Sequence, residues 1–182
     1  MRQLVKRAIH APPSQEHVEH APEPWVVAHS PDAWSKKCDA SCSEDAIVAT
    51  LDAVVEEVTT RPNQNLERYQ LLHYERRQQY GLHHDYIAAQ AALPQGPREF
   101  TVLFYLNDVQ EGGETTFPGL KVTVRPRQGR VLLWPNVAYP KSPSAGSKLN
   151  AHTHHASLPV MEGEKFVATQ WVHAGAVRLG VD

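Results

Sequence analysis

Ile47, Val48, Leu51, Val54, Val55 and Val58 recur at helical spacing. Residues three and four apart share one side of an α-helix, so the pattern predicts an amphipathic helix that buries this set. Ser41 and Glu44 have capping-box spacing ahead of it, and Arg61-Pro62 ends it, since the residue before proline disfavours helical backbone. Beyond the helix the apolar runs shorten. Segments 68–75, 82–87, 99–106, 121–125, 130–134, 152–156 and 165–172 are rich in Val, Tyr, Phe and Thr and are separated by Gly, Pro and Asn signals such as QEGGE and RPRQG. One helix followed by about seven short strands, without βαβ alternation, predicts a mainly β fold: an antiparallel sandwich or jelly-roll barrel with a supporting helix.

Two polar stretches flank this pattern. Residues 1–32 hold five prolines and four histidines after LVKRA, which has the look of a helix end, and are expected to form an irregular N-terminal arm. The catalytic domain is then expected over 33–182. KSPSAGSKLN (141–150) is expected to be a flexible loop near the barrel mouth. At 182 residues the chain is the size of one domain, and its net charge of -2 gives no reason to expect nucleic acid as a partner. No membrane segment is readable, nor a secretory signal. That makes the cytoplasm the default expectation, with the secretory pathway the alternative if Met1 marks a shortened N-terminus. Cys38 and Cys42 are too few for a disulfide framework; they read as two reduced thiols or one local disulfide.

Eleven histidines are the compositional anomaly, and they cluster at 83–84 and 152–155. His83 and Asp85 are two apart, so on a strand both project from one face while His84 points the other way. That pair supplies two ligands of a 2-His-1-carboxylate triad, which leaves open positions on the metal as iron(II) oxygen chemistry requires. His152, His154 and His155 are the candidates for the third ligand, and periodicity does not choose among them. On the last strand Lys165, Val167, Thr169 and Trp171 share one parity, and on 99–106 Thr101, Leu103 and Tyr105 do. If these sets face the interior, Lys165 is a buried cation in need of a carboxylate partner, and Tyr105 a hydroxyl near it. The alternatives are a lysine snorkelling at the rim and a core tyrosine.

Four stretches, in order, resemble the prolyl 4-hydroxylase catalytic domain: NLERYQLLHYERRQQYGLHHDYI, GPREFTVLFYLNDVQEGGETTFP, VTVRPRQGRVLLWPN and HHASLPVMEGEKFVATQWVH. The resemblance runs from about Ala33 to His173, and HHDYI and GRVLLWPN are similar to prolyl 4-hydroxylase-like proteins of algae and other microbial eukaryotes. It implies a double-stranded β-helix (jelly-roll) dioxygenase with iron(II) held by His83, Asp85 and His155. It further implies 2-oxoglutarate anchored by Lys165, a cosubstrate pocket containing Tyr105, Tyr74, Thr169 and Trp171, and ascorbate as reductant. Tyr74 falls where the family has a tyrosine near the metal, and Gly112, Gly113 and Glu114 are expected to form a turn. The implied reaction hydroxylates proline in a peptide or protein substrate, releasing succinate and carbon dioxide.

Some positions depart from the family's pattern. Arg77 and Ser157 stand where glycine is usual, Phe166 where tryptophan is, and Asn150 and His152 where aspartate and arginine often precede the distal histidine. None removes a ligand, but they bear on the substrate. The rival readings are the same chemistry on another side chain or a small molecule, a non-enzymatic jelly-roll binding module, and a zinc hydrolase using the same histidines.

Overall fold

A computed structural model describes residues 34–38, 45–138 and 148–178. The N-terminal arm, the Ser41/Glu44 capping signature and most of the 141–150 loop lie outside the described residues. Helix α1 spans Ala46–Thr59; Asp45 caps it, its carboxylate accepting the Ile47 N–H at 2.9 Å. It ends at Thr60, whose left-handed backbone (φ 56°) breaks the ladder two residues before Pro62.

The buried side of α1 differs from the predicted one. Val48, Leu51, Asp52, Val55 and Thr59 face inward, whereas Val54 and Val58 are 39% and 51% exposed. The rotation is set by Asp52, which accepts hydrogen bonds from Gln170 Nε2 (2.7 Å), Asn63 Nδ2 (2.9 Å) and Arg178 Nη1 (2.7 Å). A fully paired carboxylate can be buried, so the valines beyond it turn to solvent.

The strands are β1 (Trp34–Lys37), β2 (Gln70–Tyr74), β3 (Tyr80–His83), β4 (Arg98–Tyr105), β5 (Glu111–Gly112), β6 (Thr115–Phe117), β7 (Val122–Val124), β8 (Val131–Pro135), β9 (Val137–Ala138), β10 (Lys148–Leu149), β11 (His155–Ser157), β12 (Val160–Glu162) and β13 (Lys165–His173). A five-stranded sheet has the order β1-β2-β13-β4-β8, and a four-stranded sheet the order β3-β11-β6-β7. The two face each other as the halves of a jelly roll. Every pairing recorded between these strands is antiparallel.

Strand parity divides the large sheet into two sides. Leu71, Val102, Phe104, Ala168 and Val172 pack against α1 with Val48, Leu51 and Val55, each such side chain contributing about 1.5–3 kcal/mol on burial. On the other side Tyr74, Leu103, Tyr105 and Val167 pack with Phe117, Trp134 and Val160 inside the barrel. Replacing Val55, which has no exposed surface, by a charged residue would break the helix contact.

Two predicted strands start or end elsewhere. The 82–87 strand is β3, which ends at His83, so Asp85 lies just past the ladder. The 152–156 strand begins only at His155, because Asn150 caps a 3-10 turn at Ala151–Thr153. The C-terminal end of the predicted loop is strand β10, paired with β9. Cys38 is disulfide-bonded rather than a free thiol; Cys42 lies outside the described residues.

Candidate active site

The end of β3 and the start of β11 are register partners, His83 opposite His155. Their ring centroids lie 4.2 Å apart. Asp85 approaches both: Oδ1 is 3.6 Å from His83 Nε2 and Oδ2 is 3.8 Å from His155 Nε2. One ligand atom from each of the three lies within 4.8 Å of the other two, a separation that one ion could bridge.

Each of the three side chains is oriented by a further hydrogen bond. His83 Nδ1 donates to the Gly81 carbonyl (2.8 Å) and His155 Nδ1 to that of Thr153 (3.0 Å). A carbonyl only accepts, so in the neutral rings the lone pair sits on Nε2, the atom facing Asp85. Thr101 Oγ1 donates to Asp85 Oδ2 at 2.6 Å, and Asn136 Nδ2 donates to Thr101 at 2.8 Å, which directs the hydroxyl proton onto the carboxylate. Burial pushes the Asp85 carboxyl up. The His155 and His83 imidazoles and the Thr101 bond outweigh it, so it remains below the ordinary carboxylate value. Trp134 packs on His155 with ring centroids 4.7 Å apart, and Tyr80 on His83 at 4.1 Å.

These three residues line one open-mouthed cavity with Tyr74, Tyr80, Trp134, Lys165, Thr169 and Trp171. The predicted parity of β13 is the observed one: Lys165, Val167, Thr169 and Trp171 all face this cavity. Lys165 is 1% exposed at the cavity end. Its ammonium donates to Ser157 Oγ at 2.6 Å and lies 5.1 Å and 5.6 Å from the ring centres of Tyr74 and Tyr105. Among the described residues no carboxylate lies within ion-pair distance of it. Burial therefore brings its pKa down to about 7, against a smaller upward pull from Glu114.

Tyr74, which the resemblance implies near the metal, lines the cavity that the three ligands share and lies beside Lys165, while Tyr80 packs on His83. The Tyr105 hydroxyl donates to Thr115 Oγ1 at 2.7 Å. Gly112 and Gly113 form a turn at φ 79° and 70°, as their type suggests. Gly113 has a second role: a Cβ there would stand 3.3 Å from Lys165 Cδ, so its bareness keeps room for the lysine stem. Sequence reading passed over Ser157, Thr115 and Tyr80 as site residues, and Asn136 as support. His84 and His154 are outside the triad, with their rings edge to face at 5.1 Å. His152 is exposed on the 3-10 turn.

Trp171 lines the cavity and is covered by Arg98. The Arg98 guanidinium lies 3.7 Å from its ring centre and is held by Glu67 at 2.6 and 3.1 Å, and His173 Nε2 donates to the same carboxylate at 2.8 Å. Burial pushes the Glu67 carboxyl up, yet those bonds hold it at about 2.

The donor set fits a facially bound divalent metal. The cavity also fits an oxygen-rich anion, because the Lys165 ammonium that lines it has no carboxylate beside it among the described residues. A jelly roll with such a pocket falls in the class of non-haem metal oxygenases. The comparisons narrow it: residues 69–173 match the family model of the 2OG-Fe(II) oxygenase superfamily, and the chain belongs to that superfamily. It is 38% identical to probable prolyl 4-hydroxylase 7 of Arabidopsis thaliana over 149 residues, covering 71% of this chain and 45% of the relative. It is 30% identical to prolyl 4-hydroxylase subunit alpha-1 of Rattus norvegicus, covering 85% of this chain and 29% of that one. The chain thus spans about half the length of its plant relatives. Among solved structures, the 2-oxoglutarate complex of viral collagen prolyl hydroxylase from Paramecium Bursaria Chlorella virus-1 aligns with a TM-score of 0.72. That match has 27% identity and covers 95% of this chain and 88% of that one.

Proposed function

We propose that this protein hydroxylates peptidyl proline in a reaction dependent on iron(II) and 2-oxoglutarate. The observation that carries the proposal is the sharing of one cavity by a His-Asp-His cluster and a buried lysine without a carboxylate partner. His83, Asp85 and His155 would hold the metal, and the Nδ1 bonds of the histidines would keep both Nε2 atoms turned toward it. Lys165 would bind the distal carboxylate of 2-oxoglutarate by a charge-assisted hydrogen bond. Tyr74, Tyr105, Thr169 and Trp171 would wall the cosubstrate. Leu103, Val167 and Trp134 would keep bulk water from it. The chemistry supplied by the bound metal and cosubstrate is oxidative: oxygen is divided between succinate and the new substrate hydroxyl, and carbon dioxide leaves. Ascorbate would serve as reductant. The prolyl assignment rests on the names of the relatives and on Tyr80 and Trp171, aromatic residues of the cavity lining suited to the apolar ring of proline in an extended peptide. The disulfide at Cys38 favours an oxidising compartment. No helix among the described residues is long and apolar enough to cross a membrane.

The test is anaerobic titration of iron(II) and 2-oxoglutarate, then oxygen with a proline-rich peptide library and mass analysis. Succinate formation with 16 Da added to proline (about one oxygen atom) is the expected result. Succinate without hydroxyproline would remove the substrate, and no succinate would remove the reaction.

A further inference from the structure

Ser157 stands where the family's pattern carries glycine, and it lies against the group that would hold the cosubstrate. It follows His155 by two residues on β11, and both are buried and face the cavity. Two residues of strand rise about 6.6 Å. A five-carbon 2-oxo dicarboxylic acid has four C–C bonds of about 1.5 Å, so its end carboxyl carbons are about 5 Å apart when extended. A ligand chelating a metal at His155 would therefore bring its far carboxylate to the level of Ser157. Ser157 Oγ accepts from Lys165 Nζ at 2.6 Å, and its own O–H donates to no protein acceptor among the described residues. It pairs in register with Thr115, whose hydroxyl accepts from Tyr105.

We propose that Ser157 is a cosubstrate-binding residue, holding the Lys165 ammonium in place and donating its hydroxyl proton to the distal carboxylate of the 2-oxo acid. The inference rests on the function proposed above and deepens it. In the free protein the serine is the lysine's hydrogen-bond acceptor. In the complex the lysine and the serine converge on one carboxylate, the cation supplying charge and the hydroxyl direction.

The experiment is anaerobic calorimetry on the metal-loaded protein with 2-oxoglutarate and with 2-oxopentanoate, which has the same chain length but no distal carboxylate. Ser157→Ala is expected to raise the Kd for 2-oxoglutarate by about 10- to 100-fold, the range of a hydrogen bond to a charged group. Its Kd for 2-oxopentanoate should stay within about twofold, below the effect of any such bond. Ser157→Gly, the residue of the family pattern, should behave as alanine does and provides a second variant should alanine disturb the fold. An unchanged Kd for 2-oxoglutarate in both variants overturns the proposal. Equal weakening of both ligands also overturns it, because the serine would then be supporting the fold. If the unaltered protein binds neither 2-oxo acid, the proposed function itself fails, a result separable from failure of the serine alone.

Discussion

The two sides of the large sheet each bury a charge, and they treat it in opposite ways. On the helix side, Asp52 is enclosed by Gln170, Asn63 and Arg178, so its oxygens are paired by protein groups. On the barrel side, Lys165 is at least as buried but has a serine hydroxyl and two tyrosine rings in place of a counter-ion. A buried charge that the fold satisfies contributes to folding. One that the fold leaves short of a partner costs stability until something else supplies it. Burial alone therefore does not separate scaffold from site; the identity of the partners does.

The largest effect should come from the metal cluster on the barrel side. His155→Ala is expected to bring succinate formation below detection. His154→Ala, which changes the neighbouring half-buried imidazole outside the triad, should leave it within about threefold, since changes away from a site have small effects. Metal content measured on both variants checks the assignment, and equal loss in the two would mean that the cluster is not the metal site.

Next come the two buried charges, with opposite signs. Lys165→Met should raise the thermal midpoint of the ligand-free protein, because a desolvated ammonium is replaced by an apolar chain of similar length, while 2-oxoglutarate binding falls at least about 100-fold. Asp52→Ala should cost about 3 kcal/mol, because it takes the counter-charge from half-buried Arg178 and an acceptor from Gln170 and Asn63, and should not alter the Kd for 2-oxoglutarate. Denaturation and calorimetry on both proteins give the comparison, and destabilisation by Lys165→Met would break it.

A smaller effect is expected one layer behind the metal. Thr101→Val keeps the shape but removes the proton donated to Asp85 and the acceptor of Asn136 Nδ2. Metal affinity should fall about 10- to 100-fold with the fold intact. Retention of full affinity would show that Asp85 needs no such support.

How much of this could be read from the chain depends on the range of the interactions. The alternation of Lys165, Val167, Thr169 and Trp171 was legible because β13 is a long strand, and parity propagates along it. The same parity argument singled out His83 and Asp85, although β3 ends at His83 and Asp85 reaches its place from just past the strand. The choice of His155 over His152 and His154 was not, because it depends on the 3-10 turn at Ala151–Thr153 that delays the strand. The burial of α1 was misread for want of one contact, Asp52 to Gln170, between residues 118 positions apart. Strands of two or three residues, such as β5, β6 and β12, left no periodic trace, since pairing rather than propensity makes them. Ser157 stood out only as a departure from glycine and Thr115 not at all, because a small hydroxyl becomes chemistry only when the fold brings Lys165 or Tyr105 beside it.

The unpaired lysine also predicts a pH dependence whose sign is opposite for ligand and fold. The pKa of Lys165 is about 7 in the ligand-free protein and 10.5 as its ordinary value. Between these the unfolded chain binds the extra proton, so stability of the ligand-free protein should rise with pH through that window and be flat in this contribution below it. A bound carboxylate favours the ammonium. Uptake of 2-oxoglutarate above pH 7 should then bring in a proton, and affinity should fall by up to about tenfold per pH unit. Calorimetry in buffers of different ionisation enthalpy reads that proton directly. Absence of proton uptake at pH 8 would mean that the lysine is already charged before the ligand arrives.

The smallest effect belongs to a residue on neither side of the sheet. Arg77, in the β2–β3 turn, has φ 69°, a region in which side chains with a Cβ are strained and glycine is not. Its N–H bonds to the Val160 carbonyl at 2.7 Å, a contact any residue but proline retains. Against the relief of strain stands the larger entropy that glycine loses on folding, so Arg77→Gly should stabilise by no more than about 1 kcal/mol. Because neither Asp52 nor Lys165 touches this turn, the gain should add to the change from Asp52→Ala and leave cosubstrate affinity unaltered. A double variant measured by denaturant unfolding tests that independence. A gain that vanished with Asp52→Ala would mean that the helix side and the turn beyond the barrel share one cooperative network, and that the division between the two faces is less complete than their partners suggest.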